Sequence, residues 1–227
     1  MLIKRKFRNI KLLTFDCYGT LIDWEKGMHD ALYNFVRKRH LSLSVDNLSE
    51  RYIEIELDVE RERYRKYREV LTLATKRLLE EQKIDLHSGD EKIFVNSISF
   101  WPPFKETSRT LNLLKKKGYK LVILSNIDEN LIKKSIKLMG IRFDGVVTAE
   151  QVKSYKPSFN HWLRMLKIFK ISKDNILHIA ASIVHDIRPA KALGFKTVWI
   201  NRKNEPLPKD VTTDAEFSNL KPLIKIL

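Results

Sequence analysis

The chain has 227 residues, of which 43% are hydrophobic and one is a cysteine, so it can form one sizeable domain, or a core domain with a smaller insertion, but no intrachain disulfide. No apolar run reaches the ~20 residues that span a bilayer, and the N-terminal stretch MLIKRKFRNIKLL lacks the features of a secretory signal, so we expect a cytoplasmic protein without membrane contact. The net charge of +15 is spread along the chain without a nucleic-acid-binding motif, which favours a basic surface that attracts small anions over a nucleic-acid partner.

The first predicted element is a buried strand over residues 10–15, which stops abruptly at Asp16. An acid at a strand end is often a turn residue or a helix N-cap, and Asp16 alone would be interpreted that way. The adjacent Cys17 is a candidate nucleophile, but neighbouring side chains of a strand point to opposite faces and free cysteines are usually buried. We therefore predict that Cys17 packs in the interior.

The region 24–100 contains no convincing strand. It consists of amphipathic helical sequence, including MHDALYNFVRKRH and YREVLTLATKRLLEEQ. Pro102 and Pro103 mark its end. An all-helical insertion after the first strand is the simplest account of this region.

The rest of the chain alternates strands and helices. Short apolar, β-rich runs predict strands over residues 120–124, 145–148, 176–180 and 196–200. Helical sequences lie between them, and three of these end at a glycine, at positions 118, 140 and 194. The alternation predicts an α/β fold, a Rossmann-like doubly wound parallel sheet with helices on both faces.

Polar residues follow four of the predicted strands. The carboxyl ends of parallel strands form the edge of the sheet at which α/β proteins bind ligands, so we expect these side chains to converge on one site. In chain order they are Asp16, Ser125, Asn126, Lys156, Ser182 and Asp186.

Four short motifs resemble, in this order, the signature motifs of the haloacid dehalogenase superfamily. They are DCYGT at 16–20, SN at 125–126, YKP at 155–157 and HD at 185–186. The helical insertion lies where that superfamily has its cap domain, and WPPF and VWINR are similar to sequences of its 2-haloacid dehalogenase branch. The resemblance implies a core domain of residues 1–23 and 101–227 and a helical cap domain of residues 24–100.

The resemblance also implies a role for each site residue. Asp16 would be a nucleophile that forms a covalent ester or acyl-phosphate, which water then cleaves. Lys156 would keep Asp16 ionised, and Asp186 would orient Lys156 or the water. Because Lys156 would lie at the rim of a cleft, we expect Lys156→Met to slow turnover with little change in stability. Substrate-binding roles are implied for Tyr18, Thr20, Arg51, Ser125, Asn126, Trp162 and Ser182.

Two positions separate a dehalogenase from a phosphatase. Superfamily phosphatases resemble one another in having an aspartate two residues after the nucleophile, which protonates the leaving alkoxide, and an additional acid for Mg²⁺ in the last motif. Here these positions are Tyr18 and Ala181. A halide leaves without a proton, so a dehalogenase needs neither acid and no cofactor is expected. The alternative is a phosphatase that holds Mg²⁺ with Asp16 and Asp186.

The cap departs from the dehalogenase pattern. The arginine that receives the halide in that branch should fall in the first half of the cap, where an ungapped count gives Tyr52; a helix rotation or a small gap would place the adjacent Arg51 there. Trp162 stands where the family has another aromatic residue. In the last motif Ala181 and Ile183 replace polar residues.

Three hypotheses follow from the sequence. The first is hydrolysis of a small (S)-2-haloalkanoic acid through a covalent ester on Asp16. The second is a Mg²⁺-dependent phosphatase acting on a small phosphorylated metabolite, and the third is a non-enzymatic binding protein with the same fold. The expected partner is a small anionic substrate, and apolar surface on the cap could support a homodimer.

Overall fold

A parallel β-sheet forms the centre of the computed structural model, which describes residues 5–227. Within these residues the sheet has six strands in the order β3-β2-β1-β4-β5-β6, and every neighbouring pair is parallel. The strands are β1 (Leu12–Phe15), β2 (Lys120–Ser125), β3 (Gly145–Thr148), β4 (Ile176–Ala180), β5 (Lys196–Ile200) and β6 (Ala215–Phe217). The predicted doubly wound α/β fold is confirmed. The edge strand β6 was not predicted, because three residues are too few to show a strand pattern.

The strand β1 occupies the middle of the sheet, between β2 and β4, and all four of its residues are buried. Phe15 pairs with Ile123 on one side and with Ile179 on the other, and the backbone N–H of Asp16 donates to the Ile179 carbonyl at 3.1 Å. From β1 the strands follow in chain order outward on both sides, through β2 and β3 on one side and through β4, β5 and β6 on the other. The topological switch point of the sheet therefore lies at the carboxyl end of β1. Asp16 therefore emerges in the crevice where ligands bind in such sheets.

Helices cover the sheet between the strands. They are α5 (Thr107–Lys116), α6 (Glu129–Met139), α7 (Ala149–Val152), α8 (Asn160–Phe169), α9 (Arg188–Ala192) and α10 (Leu223–Ile226). The apolar faces of these helices pack on both sides of the sheet; Leu111 and Leu114 of α5 belong to the larger core cluster, and Trp162 and Met165 of α8 belong to a second one. Cys17 is fully buried, as predicted.

A helical segment lies between β1 and the rest of the core. Its helices are α1 (Trp24–Lys38), α2 (Val45–Glu62), α3 (Tyr67–Glu81) and α4 (Ile93–Ser97). Side chains cap the first two: Asp23 accepts a hydrogen bond from the N–H of Lys26, and Ser44 accepts one from the N–H of Asn47. Tyr52 of α2 packs on Phe94 of α4 with ring centroids 4.1 Å apart.

The helical segment joins the core tightly at its two ends. Gly27 of α1 lies against the Trp101 ring, and a Cβ atom at position 27 would come within 2.2 Å of that ring, so only glycine fits there.

We propose residues 24–100 as the cap and residues 5–23 and 101–227 as the core. Residues 1–4 lie outside the described residues. They belong to the predicted core and to the N-terminal stretch that lacks the features of a secretory signal. None of the helices within 5–227 combines the length and apolar character needed to cross a membrane.

Candidate active site

The loop after β1 holds the Asp16 carboxylate in a tight turn. The N–H groups of Leu21 and Ile22 donate to the Cys17 carbonyl at 2.7 and 2.9 Å, and Gly19 has a φ of +94°, in the left-handed region that favours glycine. The turn brings the Thr20 hydroxyl back to Asp16 Oδ2, to which it donates at 2.7 Å. Asp16 is only 7% exposed, and its remaining oxygen faces the other polar residues of the sheet edge.

The Lys156 ammonium lies between two carboxylates. Its Nζ donates to Asp16 Oδ1 at 2.8 Å, to Asp186 Oδ1 at 2.7 Å and to the Leu124 carbonyl at 3.1 Å. The Asn126 side chain fixes the Lys156 backbone, because its Oδ1 accepts from the Lys156 N–H and its Nδ2 donates to the Lys156 carbonyl. Lys156 is 2% exposed, so its predicted position at a solvent-facing rim is wrong.

A short turn after β4 carries Asp186 to the site. It is a single π-helical turn, Ile183–Ile187, capped by Ser182, whose hydroxyl accepts from the N–H of His185 at 3.1 Å. His178 of β4 lies beneath it, with Nε2 3.1 Å from Asp186 Oδ1 and Nδ1 2.9 Å from the Thr14 hydroxyl. Because an ionised carboxylate only accepts hydrogen bonds, His178 donates through Nε2. These contacts fix Asp186, which in turn fixes Lys156.

The three charged groups differ in their titration. Burial alone would raise the pKa of Asp186, but Lys156 and the hydrogen bond from His178 lower it to about 2. Burial alone would lower the pKa of Lys156, but the two carboxylates raise it. For Asp16, burial and the negative charge of Asp186 raise the pKa, although Lys156 opposes them. Asp186 is thus the permanent counter-ion of Lys156, and Asp16 ionises at a higher pH than an ordinary aspartate.

A cavity of about 140 Å³ opens above these groups, between the core and the cap. Its floor comes from the core and its opposite wall from α2 and α3, while aromatic rings close the sides. The floor residues are Asp16, Ser125, Asn126, Lys156, Ser182, His185 and Asp186; the wall residues are Glu56, Leu57, Glu60 and Tyr67; the other rings are Tyr18, Trp24 and Trp101. The structure therefore brings together the polar residues that the sequence placed at the four strand ends.

Two predicted substrate-binding residues are not at the cavity. The Arg51 guanidinium, 42% exposed, binds Glu81 through Nε at 2.8 Å and Glu54 through Nη1 at 2.6 Å, because it lies on the solvent side of α2. Tyr52, the adjacent residue, faces inward and packs on α4. Trp162 is fully buried in the second core cluster, with its ring 5.3 Å from that of His178, so it forms no wall of the cavity. The expectations for Arg51 and Trp162 are corrected accordingly.

Two other predicted substrate-binding residues have partners within the protein. The Thr20 hydroxyl donates to Asp16 and also accepts from the N–H of Ala181 at 2.9 Å, so it supports the nucleophile and the last motif. The Tyr18 hydroxyl lies 2.8 Å from the Ser135 hydroxyl, and its ring forms one side of the cavity. Ser125 and Ser182, also of the predicted set, are among the residues that line the cavity.

The cap contributes residues that sequence reasoning missed. Glu56 and Glu60 lie four positions apart and follow the buried Tyr52 at the same interval, so they share one face of α2. That spacing was visible in the sequence, but the face that points to the core was not. Tyr67 begins α3, and its hydroxyl donates to Glu56 Oε1.

A buried aspartate of the core anchors the start of α3. Asp128, in the loop after β2, accepts from the backbone N–H of Tyr67 at 2.8 Å through Oδ1 and from that of Arg68 at 3.0 Å through Oδ2. The two N–H groups are among those that a helix start leaves without intrahelical partners. Asp128 therefore acts as an N-terminal cap supplied from another domain, and it positions Tyr67 at the cavity.

The donor atoms at the site do not fit Mg²⁺. The two carboxylates that the phosphatase alternative would use, those of Asp16 and Asp186, are both paired with the Lys156 ammonium. Ala181 supplies no third carboxylate, and the described residues contain no group of three or more His, Cys, Asp or Glu side chains arranged to hold a metal ion. A hard cation prefers more oxygen ligands and more negative charge than this site offers.

Known proteins share both the sequence pattern and the fold. Residues 10–194 match the family of haloacid dehalogenase-like hydrolases. An (S)-2-haloacid dehalogenase of Pseudomonas sp. (strain YL) is 26% identical over 96% of this chain and 94% of its own. A phosphoglycolate phosphatase of Aquifex aeolicus (strain VF5) is 28% identical over 96% of this chain and 97% of its own. The crystal structure of the L-2-haloacid dehalogenase RSc1362 superposes with a TM-score of 0.85 at 23% identity, covering 96% of this chain and 98% of that one.

Proposed function

The chain belongs to the haloacid dehalogenase-like hydrolases, and from this premise we propose that it hydrolyses a small (S)-2-haloalkanoic acid through a covalent ester on Asp16, without a metal ion. The observation that carries the proposal is the Lys156 ammonium, 2.8 Å from Asp16 and 2.7 Å from Asp186 at the floor of the cavity. It supplies a fixed positive charge beside the nucleophile.

The first step is a displacement at C2 of the substrate. A carboxylate oxygen of Asp16 forms a bond to C2, the carbon–halogen bond breaks, and the halide leaves with the bonding electron pair. The Thr20 hydroxyl and the Lys156 ammonium hold the carboxylate for this attack. We assign to Ser125, which lines the floor, a hydrogen bond donated to the carboxylate of the substrate.

The second step is hydrolysis of the ester. Water adds to the Asp16 carbonyl carbon, the acyl–oxygen bond breaks, and the 2-hydroxy acid leaves while Asp16 regains its carboxylate. We assign the proton of that water to His185, which lines the cavity and whose pKa is lowered by burial, so its imidazole is neutral near pH 7 and able to accept. The same proton then passes to the departing alkoxide. The second proton of the water is left on Asp16 and is released to solvent when its carboxylate ionises, so each turnover yields one 2-hydroxy acid, one halide and one proton.

The choice of a halide as leaving group follows from Tyr18. This residue takes the place of the phosphatase acid, its hydroxyl is engaged with Ser135, and burial raises its pKa well above the usual value. A group held so firmly in its protonated form does not protonate a leaving alkoxide near neutral pH. A halide needs no proton.

A phosphatase is the second candidate, and the similarity to the phosphoglycolate phosphatase of Aquifex aeolicus favours it. Two observations weigh against it: the described residues contain no group of three or more His, Cys, Asp or Glu side chains that could hold a metal ion, and Asp16 and Asp186 are both paired with Lys156. Activity measurements with and without a chelator separate the two candidates.

The test is a panel of (S)-2-chloro- and (S)-2-bromoalkanoic acids, with free halide measured by ion chromatography. We expect halide release that a chelator leaves unchanged. A single turnover in ¹⁸O-labelled water should place the label in the Asp16 carboxylate and leave the product hydroxyl unlabelled, because water attacks the carbonyl carbon of the ester. Mg²⁺-dependent phosphate release from phosphate monoesters, with no halide from the panel, would contradict the proposal.

A further inference from the structure

The cap wall of the cavity carries two carboxyl groups and lacks a cation. Glu56 and Glu60 line the cavity opposite Asp16 and Lys156. Among residues 5–227 neither glutamate forms an ion pair with a lysine or an arginine, although this chain has 43 such residues. This wall offers a substrate carboxylate no cation with which to pair, so the wall faces a different part of the substrate.

Aromatic side chains line the same cavity. Tyr67, Trp101, Trp24 and Tyr18 all contribute to its lining, and the Tyr67 hydroxyl fixes Glu56 by a hydrogen bond. The faces of aromatic rings attract cations, and several rings beside a carboxylate are a typical binding site for ammonium groups. Rings and carboxylates thus indicate the same kind of ligand, and they do so independently.

We propose that the cap wall, formed by Glu56, Glu60 and Tyr67, binds an ammonium group at the end of the substrate remote from the reacting carbon. The inference rests on the proposed function and names its substrate class: a 2-haloalkanoic acid whose chain ends in a cationic amine. The carboxylate of such a substrate lies at the floor, near Ser125 and Lys156, and its ammonium group lies between the two glutamates and the rings.

The titration of the two glutamates agrees with an ammonium ligand. Burial and the charge of Glu56 raise the pKa of Glu60 to about 8, although Lys156 opposes them, and burial raises the pKa of Glu56 to about 6 against the hydrogen bond from Tyr67. An arriving cation supplies a counter-ion, so binding releases a proton and strengthens as the pH rises towards 8. The other ionisable groups near Glu60 are Glu56 and Tyr52 on its own helix, Tyr67 on α3, Tyr155 and Lys156 on the loop after α7, and Asp16, His185 and Asp186 on the floor.

Two unreactive probes of the same shape isolate the charge. 4-(Trimethylammonio)butanoate and 5,5-dimethylhexanoate differ only in the replacement of N⁺ by carbon, and neither carries a halogen. Their binding to the wild-type protein is measured by isothermal titration calorimetry. We expect the ammonium probe to bind roughly 10- to 100-fold more tightly, as a desolvated cation among aromatic rings and carboxylates should. Equal affinities would overturn the inference without any variant.

Substitutions then locate the preference. In Glu60→Gln the ratio of the two affinities should fall by about tenfold or more, and Glu56→Gln should lower it in the same direction. Asp58→Asn is the matched control, because its carboxylate lies on the same helix but is 68% exposed and pairs with Arg61 at 3.5 Å. A ratio that stays unchanged in both glutamine variants, or that falls equally in the control, would contradict the assignment.

Turnover of the 2-chloro forms of the two probes separates this inference from the proposed function. Halide release from both compounds with equal kcat/KM supports the function and refutes the ammonium site. Tight binding of the ammonium probe without halide release from any 2-haloacid supports the site and refutes the function.

Discussion

The floor and the cap wall of the cavity differ in how their charged groups are paired. On the floor, Lys156 is held by Asp16 and Asp186, and His178 holds Asp186 from below, so every charged group has a partner within hydrogen-bond distance. On the wall, Glu56 and Glu60 face the cavity with no cation beside them in the described structure. On the floor the hydrogen-bonded ion pairs hold the reacting groups in place, whereas on the wall the two carboxyl groups are left to pair with a cation supplied by a ligand.

The difference teaches that the two domains have separate tasks. The residues of the floor lie at strand ends whose positions the core sheet fixes, so the fold itself determines where the reacting groups are. The wall depends on which face of α2 points inward, and that can change without disturbing the sheet. Substitutions on the floor should therefore alter turnover, and those that reach only the wall should alter binding.

The largest effect is expected for Asp16→Asn. The amide is a poor nucleophile, so no ester forms and kcat should fall on the order of 10⁴-fold or more. The asparagine oxygen can still accept from Thr20, so the fold should persist, which circular dichroism checks. Halide release by the variant at a rate within tenfold of the wild type would show that Asp16 is not the nucleophile. The contrast between a reactive floor and a binding wall would then be wrong.

His185→Gln should slow only the second step. Loss of a general base typically costs on the order of 10²–10⁴ in rate, and here the loss falls on ester hydrolysis. Intact-protein mass spectrometry during turnover should show an adduct on Asp16 that accumulates in the variant and that the wild type clears. Slow turnover without an adduct would mean that His185 acts before the ester forms, and the assignment of the water proton would be wrong.

Lys156→Met should reduce both turnover and stability. Removal of one preorganised charge costs on the order of 10²–10³ in kcat. Because Lys156 is buried between two acids, its loss should also lower the free energy of unfolding by roughly 3–5 kcal/mol at neutral pH. This replaces the sequence-based expectation of unchanged stability. Lys153→Met, an exposed lysine of the same loop, is the control and should change neither quantity.

The pH dependence of the Lys156→Met variant sharpens the test. Lys156 lowers the pKa of Asp16, so without it Asp16 stays protonated to a higher pH and the acid limb of kcat/KM should move upward. Both carboxyl groups then gain protons more readily in the folded state, so the loss of stability should be smaller at pH 5 than at pH 8. A loss that is equal at both pH values would show that the lysine stabilises the fold through packing alone.

Much of the core could be predicted from the sequence because its signals are local. The runs that became β1, β2, β4 and β5 are short and rich in apolar and β-branched residues, and the polar residues of the floor come from the ends of strands and the loops after them. His178 was missed although it interrupts the apolar run of β4, because a buried histidine in a strand is normally part of the core.

The cap could be predicted only as helices. Its site residues depend on the rotation of α2 about its axis, and one position separates the inward Tyr52 from the outward Arg51. Helical periodicity shows that Glu56 and Glu60 share a face with Tyr52, but the apolar residues of α2 do not mark that face as the one above Asp16. The contact of Asp128 with α3 joins positions 60 and 61 residues apart, which no local pattern reveals.

The smallest expected effect concerns Asp128, which connects the two regions. Asp128→Ala removes the acceptor for the first two N–H groups of α3, which should cost about 1 kcal/mol of stability. Because Tyr67 is the first residue of α3 and lines the cavity, the frayed helix start should also raise KM by roughly fivefold, with a smaller change in kcat. Ser44→Ala is the matched control: it removes the cap of α2 at a position away from the cavity, so it should lower the melting temperature similarly and leave KM unchanged.

Two outcomes decide the cause of a raised KM. If Asp128→Ala and Ser44→Ala raise KM alike, general loosening of the cap accounts for the effect, and Asp128 has no special part in holding the wall against the floor. If Asp128→Asn, which keeps one acceptor oxygen, restores most of the wild-type KM, the hydrogen bonds to α3 are the cause.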